Sequence, residues 1–164
     1  MSDRVKPLAE PARPIAAGAR IGHVHLKVAD IQRALDFYCG VLGFSLMQRY
    51  GAEAAFISAG GYHHHIGLNT WESRGGKPPP PGATGLYHVA ILYPARAALA
   101  DALRRLIEAG IPLDGASDHG VSEAIYLHDP DQNGIELYRD RPRDQWPDDM
   151  YTAPLDLTAL LAEA

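Results

Sequence analysis

The sequence has few of the features that define several large classes of protein. Cys39 is the single cysteine among 164 residues, so the chain cannot form an intramolecular disulfide or a cysteine-based zinc cluster. It contains no run of 18 apolar residues, and we therefore predict no transmembrane helix. Its N-terminus lacks the apolar core of a secretory signal. These absences predict a cytoplasmic protein that does not associate with membranes, and the single thiol fits that compartment.

The sequence also lacks an excess of positive charge. It has 15 basic and 20 acidic residues, which gives a formal net charge of -5 when histidine is neutral. Nonspecific nucleic-acid binding needs clustered lysine and arginine, so we expect no nucleic-acid partner. With 46% hydrophobic and 21% charged residues, the composition is that of an ordinary globular protein. The length suits one domain, or two small modules that share a core.

The chain contains an internal repeat. The sequence HVHL begins at His23, and the similar sequence HVAI begins at His88. Each lies in a strand pattern that is followed by an amphipathic helical pattern, and the two helices are predicted to end at Gly43 and Gly110. Three short strand patterns follow in each half. The repeat therefore predicts two βαβββ modules.

These patterns divide the chain into five parts. The linker between the modules contains four consecutive prolines, which favour polyproline II and cannot continue a strand or a helix. The tail carries a short apolar stripe that fits either a docking helix or a dimer contact. The predicted parts are a flexible N-terminal arm at 1–19, a first module at 20–72, a proline- and glycine-rich linker at 73–84, a second module at 85–141 and a C-terminal tail at 142–164.

Three polar residues occupy positions that the pattern predicts to be surrounded by apolar residues. His23 and His88 hold equivalent positions in the two repeats, and Glu136 has apolar neighbours on both sides. A buried imidazole or carboxylate needs a partner. Hydrogen-bonded packing would supply one, but two imidazoles and a carboxylate also form the facial triad of iron(II) oxygenases. The repeat-equivalent placement favours a mononuclear metal site with iron(II), and manganese, zinc, nickel or cobalt suit the same ligands.

Three longer segments resemble one superfamily. They are HVHLKVADIQRALDFYCGVLGF from His23, YHVAILYP from Tyr87 and YLHDPDQNGIELY from Tyr126. Together they resemble the vicinal-oxygen-chelate superfamily, which includes glyoxalase I, fosfomycin-resistance proteins, bleomycin-binding proteins and extradiol dioxygenases. The resemblance covers residues 21 to about 141. It implies an α+β fold in which two βαβββ modules form a cupped mixed sheet around one metal site. The ligands it implies are His23, His88 and Glu136.

The resemblance is strongest to catechol-2,3-dioxygenase-type proteins of that superfamily. The segment YHHHIGLN has no counterpart of the glutamate that glyoxalase I commonly uses as a fourth ligand. Histidine at this strand is typical of extradiol dioxygenases, and the resemblance assigns His65 to dioxygen stabilisation. The period of a strand predicts that His63 shares its face while His64 points the other way. Both His25 and His63 are candidates to line the pocket.

Two residues of the second half complete the implied site. His119 resembles a histidine that handles protons, and Tyr126 resembles a tyrosine that hydrogen-bonds a substrate oxygen. In the turn that follows, Gln132 replaces the family's usual glycine. We expect Asn133 and Gly134 to supply the positive φ that this turn needs.

The implied function is cleavage of a catechol-like ring by dioxygen at a divalent metal. The expected partners are therefore a small aromatic substrate and dioxygen. A glyoxalase- or fosfomycin-resistance-like isomerase or transferase is an alternative, since the three ligands alone also fit it. A metal-free drug- or metabolite-binding protein is a second alternative. Many of the similar dioxygenases carry a second pair of modules, so we expect this chain to form a homodimer.

Overall fold

The computed structural model describes residues 13–164. It contains the mixture of helices and strands and the two βαβββ modules that the sequence predicts. Most of the predicted N-terminal arm, residues 1–12, lies outside the described residues. Within the described part of the chain, no helix has both the length and the apolar character needed to cross a membrane.

The first module forms a four-stranded sheet. The strand order is β1-β4-β3-β2, with β1 parallel to β4 and the other pairs antiparallel. Strand β2 is therefore an edge strand, and its side chains are exposed along its whole length. The elements are β1 (Val24–Lys27), α1 (Ile31–Leu35), a π-helical segment (Asp36–Val41), β2 (Ser45–Tyr50), β3 (Ala54–Ser58) and β4 (Ile66–Asn69).

The second module forms a separate five-stranded sheet. Its order is β5-β8-β7-β6-β9, and β5 runs parallel to β8 as β1 does to β4. The fifth strand comes from the C-terminal tail and was not predicted. The elements are β5 (Val89–Leu92), α2 (Arg96–Glu108), β6 (Gly115–Asp118), β7 (Ser122–His128), β8 (Gly134–Asp140), a 3-10 turn (Arg143–Gln145), β9 (Ala153–Pro154) and α3 (Leu157–Leu161).

The first helix begins at a capping residue and changes form before it ends. The Asp30 carboxylate caps it by accepting a hydrogen bond of 2.8 Å from the Arg33 backbone N–H. After Leu35 the backbone becomes π-helical, so the predicted uninterrupted α-helix is wrong in its second half. The wider turn buries both Phe37 and Tyr38.

Contacts between polar groups join the two modules. The Tyr38 hydroxyl donates to Asp129 Oδ2 at 2.9 Å, and the Ala29 backbone N–H donates to Asp131 Oδ1 at 3.0 Å. Both acceptors lie in the turn before β8, where Gln132 has a φ of 65°. The expectation that Asn133 and Gly134 would supply the positive φ is therefore wrong. The turn contacts the beginning of α1. Both modules contribute residues to one hydrophobic core.

The tail packs against the second module. Helix α3 lies on α2 with Leu160 fully buried between them, and β9 pairs with the outer edge of β6. Of the two interpretations of the apolar stripe in the tail, the docking helix is the one found. Because β9 covers the edge of β6, the tail also ends that side of the sheet.

Candidate functional site

Four predicted site residues come together on the second module. His88 Nε2 lies 2.9 Å from Glu136 Oε2, and the Tyr126 hydroxyl donates to Glu136 Oε1 at 3.3 Å. His119 Nε2 lies 2.8 Å from the Tyr126 hydroxyl. The sheet register explains this convergence: Tyr126 is directly opposite Glu136 across β7 and β8, and His88 precedes the strand that pairs with β8.

The carboxylate at the centre of this group is largely shielded from water. The Glu136 side chain is 14% exposed and the His88 side chain 32%. Burial, followed by the charge of Glu136 and the hydrogen bond to it, raises the pKa of Tyr126 to about 12. Tyr126 therefore keeps its proton at neutral pH and acts as a donor.

The group opens onto a cleft of about 690 Å³. The proline-rich linker lines part of the cleft as a proline-rich wall, and His88, His119 and Tyr126 line it as well. Tyr87 lines the same cleft and is 90% exposed. Prolines and tyrosine offer flat apolar surface, so the shape and chemistry of the cleft suit a small planar ring beside polar groups.

The histidines of the first module form a different arrangement from the predicted one. Strand β4 begins at Ile66, so His63 and His64 lie before the strand and do not follow its alternation. The prediction that His64 points away from the site face is wrong: its ring lies against the His23 ring, with centroids 4.4 Å apart and planes tilted by 51°. The Nδ1 atoms of His63 and His64 are 2.8 Å apart.

His65 is held by the hairpin between β3 and β4. Its Nδ1 accepts a hydrogen bond of 3.2 Å from the Ala59 backbone N–H and lies 3.0 Å from Ser58 Oγ. A neutral ring that accepts at Nδ1 carries its proton on Nε2. His65 and His23 line a second cleft, of about 390 Å³, beside strand β5.

His25 covers the open face of the first sheet. A Cβ on Gly67 would lie 2.9 Å from the His25 ring, so the ring rests directly on the glycine backbone. The rings of Trp71 and Phe56 are 5.5 and 5.9 Å away. Burial and the nearby charge of His23 lower the pKa of His25. His25 lines a cleft with the proline-rich linker, separate from the group around Glu136.

The predicted metal ligands are only partly assembled. Within residues 13–164, no three His, Cys, Asp or Glu side chains stand close enough together to hold a metal ion. His88 and Glu136 form one contact, whereas His23 belongs to the first module. An imidazole and a shielded carboxylate in contact are a donor pair that suits iron(II), manganese or zinc. The donor chemistry of this pair therefore fits a divalent metal.

Sequence reasoning missed one residue that contacts this group. Thr152 Oγ1 lies 3.1 Å from His119 Nδ1, 33 residues further along the chain. No local pattern marks Thr152, because the contact depends on how the tail folds back onto β6.

Comparison with known proteins agrees with the geometry. Residues 20–137 match the family described as the Glyoxalase/Bleomycin resistance protein/Dioxygenase superfamily. The chain belongs to this superfamily. The crystal structure of a glyoxalase/dioxygenase from Nostoc punctiforme has the same fold, with a TM-score of 0.65 and 20% sequence identity. The aligned region covers 79% of this chain and 98% of that chain.

Two curated members of the superfamily are similar in sequence. Catechol-2,3-dioxygenase of Bacillus subtilis (strain 168) is 43% identical over 151 residues, which cover 88% of this chain and 52% of that protein. Biphenyl-2,3-diol 1,2-dioxygenase 2 of Rhodococcus globerulus is 30% identical over 126 residues, which cover 77% of this chain and 65% of that protein. The chain thus spans about half to two thirds of the length of these relatives.

Proposed function

We propose that this chain is a divalent-metal-dependent extradiol-type dioxygenase that cleaves a catechol-like ring with dioxygen. The observation that carries the proposal is the convergence of His88, Glu136, Tyr126 and His119 at one cleft. A simple binding protein would not need a shielded carboxylate joined to a proton-donating tyrosine and two imidazoles. The names of the similar proteins support the same reaction class.

In this proposal His88 and Glu136 hold the metal, with His23 as the third ligand. Iron(II) is the metal we favour. When bound, such a metal supplies the Lewis acidity that catechol deprotonation needs and the redox capacity that dioxygen chemistry needs. The contact between His88 and Glu136 keeps both donors in position before any ligand arrives.

The remaining residues bind the substrate and move its protons. Tyr126 keeps its proton, which it donates to Glu136, and the hydroxyl can turn that proton to a ring oxygen when the substrate binds. His119 touches Tyr126 and can exchange a proton with the substrate, because imidazoles exchange protons near neutral pH. His65 carries its proton on Nε2 when neutral, so this nitrogen could donate a hydrogen bond to dioxygen that enters the site. The substrate ring packs between Tyr87 and the proline-rich wall.

We also propose that the active form is a homodimer. The described chain does not bring three metal donors together by itself. The edge strand β2 exposes Leu46, Met47 and Tyr50 at 46%, 42% and 68%, a surface that a second subunit can cover. We further propose that His23 and His65 of one subunit face the second module of its partner, although β2 is the edge of the sheet farthest from β1.

The direct test is anaerobic reconstitution with iron(II), followed by oxygen uptake with a panel of small catechols. We expect catechol-dependent uptake and a yellow ring-opened product, with at least about a hundredfold loss in Glu136→Gln. Glu108→Gln is the matched control, because Glu108 is exposed at the end of α2. Tight stoichiometric metal binding without any uptake would reject ring cleavage and favour the isomerase or transferase class.

A further inference from the structure

The C-terminal tail reaches the candidate site and is firmly held there. Strand β9 pairs with β6 through Asp118↔Ala153 and Ser117↔Pro154. Just before β9, the Tyr151 ring lies directly on Gly120: a Cβ at Gly120 would be 2.6 Å from Tyr151 Cε1. Thr152 lies between these two anchors, and its hydroxyl meets His119 Nδ1 at 3.1 Å.

Gly120 makes this close approach possible. It is buried, its φ is +75°, and any side chain there would also meet Pro147 Cγ at 2.8 Å. A residue other than glycine would therefore push the tail outward and draw Thr152 away from His119. The exposed contact between Thr152 and His119 therefore depends on the close packing of the tail backbone at Gly120.

The hydrogen bonds around His119 have one consistent direction. An ionised carboxylate only accepts, so the Tyr126 hydroxyl donates its single proton to Glu136. That hydroxyl must then accept from His119, which requires the ring proton on Nε2. Nδ1 of the neutral ring is consequently an acceptor, and the Thr152 hydroxyl is its donor. Protons thus point from the tail to the carboxylate: Thr152 to His119 to Tyr126 to Glu136.

We propose that Thr152 is a positioning residue of this site, whose hydroxyl holds the His119 ring in the tautomer that donates to Tyr126. Without that hydroxyl, Nδ1 loses its donor, and the ring can rotate or place its proton on Nδ1. Nε2 would then compete with Glu136 for the Tyr126 proton. The tail therefore sets the direction of a hydrogen bond that ends at a proposed metal ligand. The consequence for catalysis rests on the proposed dioxygenase function, whereas the consequence for His119 does not.

The first measurement uses the metal-free protein and needs no activity. Nitrogen-15 NMR of the histidine side chains, with His119 assigned by comparison with His119→Gln, reports which ring nitrogen carries the proton. We expect the Nε2–H pattern for His119 in the wild-type protein and in Thr152→Ser, and a changed Nδ1 shift in Thr152→Val. Thr158→Val removes a hydroxyl from α3 of the same tail and should change nothing. Backbone amide signals of α3 verify that the tail stays docked.

The second measurement is the steady-state rate of the reconstituted enzyme. We expect Thr152→Val to lower kcat on the order of tenfold with little change in KM, and Thr152→Ser to restore it. An unchanged His119 spectrum in Thr152→Val would overturn the proposal. A changed spectrum with an unchanged kcat would overturn the catalytic part. If the wild-type protein shows no oxygen uptake but the His119 spectrum responds to Thr152, the proposed function fails while the positioning role stands.

Discussion

Gln132 is a residue whose backbone conformation does not suit it. It has a φ of 65° in the turn between Asp129 and Gly134, and the left-handed region costs a residue with a Cβ about 1–2 kcal/mol. The turn keeps this conformation because Asp129 fixes it from inside, accepting hydrogen bonds from the backbone N–H groups of Asp131 and Asn133. The strain therefore lies in the turn of the second module that hydrogen-bonds to the first module.

Glycine at position 132 should stabilise the protein. We expect Gln132→Gly to raise the free energy of unfolding by about 0.5–1 kcal/mol, since part of the relief is offset by the greater freedom of glycine in the unfolded chain. Urea unfolding followed by circular dichroism measures it. Gln132→Ala is the control, because alanine keeps the Cβ and should bring no gain. Equal stabilisation by both variants would show that φ is not the cause.

The family resemblance predicted the residues of the candidate site better than local periodicity did. His88, Glu136, His119 and Tyr126 were all named from sequence, and the structure brings them into one group. Thr152 could not be found, because its role depends on a tail that folds back across β6. The roles of these residues in chemistry stay predictions until activity is measured.

At the scale of elements, one buried carboxylate joins several parts of the second module. Glu123 is 4% exposed and accepts hydrogen bonds from Arg139 on β8, Arg96 at the start of α2 and Arg141 beyond β8. Burial alone would raise the pKa of Glu123, but the hydrogen bonds and charges of Arg139 and Arg96 lower it below its usual value. The folded state therefore favours the ionised form.

This lowered pKa predicts how stability changes with pH. A group whose pKa is depressed by folding stabilises the protein above its unfolded pKa of about 4.3, and the contribution is lost as the pH falls through the folded value. We expect Glu123→Gln to cost about 2 kcal/mol at pH 7, because the half-buried Arg139 loses its carboxylate partner while Arg96 and Arg141 keep Glu163 and Asp118. The stability of the variant should then fall less steeply than that of the wild type between about pH 5 and pH 3.

Urea unfolding at a series of pH values tests both parts of this expectation. Glu108→Gln is the control, since Glu108 is exposed and should leave the pH dependence unchanged. Parallel pH curves for the wild type and Glu123→Gln would mean that Glu123 is not the group that titrates.

The bounds of a helix or strand were predictable where its own residues determine them. The Asp30 cap and the glycines after the helices follow from residue chemistry. The length of β4 does not follow from residue chemistry, because a strand begins only where neighbouring strands can pair with it. Strand β3 ends at Ser58 and a turn with positive φ at Gly60 and Gly61 follows, so pairing resumes only near His65. The three histidines therefore look like a strand in sequence and form a hairpin loop in the structure.

At the scale of the whole molecule, the two modules were predictable from the sequence. Which first module faces which second module in the proposed dimer was not. The repeat in the sequence predicts two similar units, and the structure has two separate sheets. A repeat carries no information about which first module faces which second module. His23 contacts His64 in one module, while His88 contacts Glu136 in the other. The proposed site is complete only if a first module meets a second module from the correct side.

Mixing two inactive variants distinguishes a site shared between subunits from a site within one chain. We expect His23→Ala and Glu136→Ala each to be inactive as homodimers. If subunits share the site, each mixed dimer has one site with both ligands changed and one with all three intact. An equal mixture, exchanged by co-refolding, should therefore regain about a quarter of the wild-type oxygen uptake and of the bound metal.

Mixing His88→Ala with Glu136→Ala is the control. His88 and Glu136 lie on the same module. Whether the site is shared between subunits or lies within one chain, each site of the mixed dimer therefore lacks one of its ligands, and no activity should return. Native mass spectrometry verifies that mixed dimers have formed. If they form and His23→Ala with Glu136→Ala still regains neither metal nor activity, then His23 reaches His88 and Glu136 of its own chain.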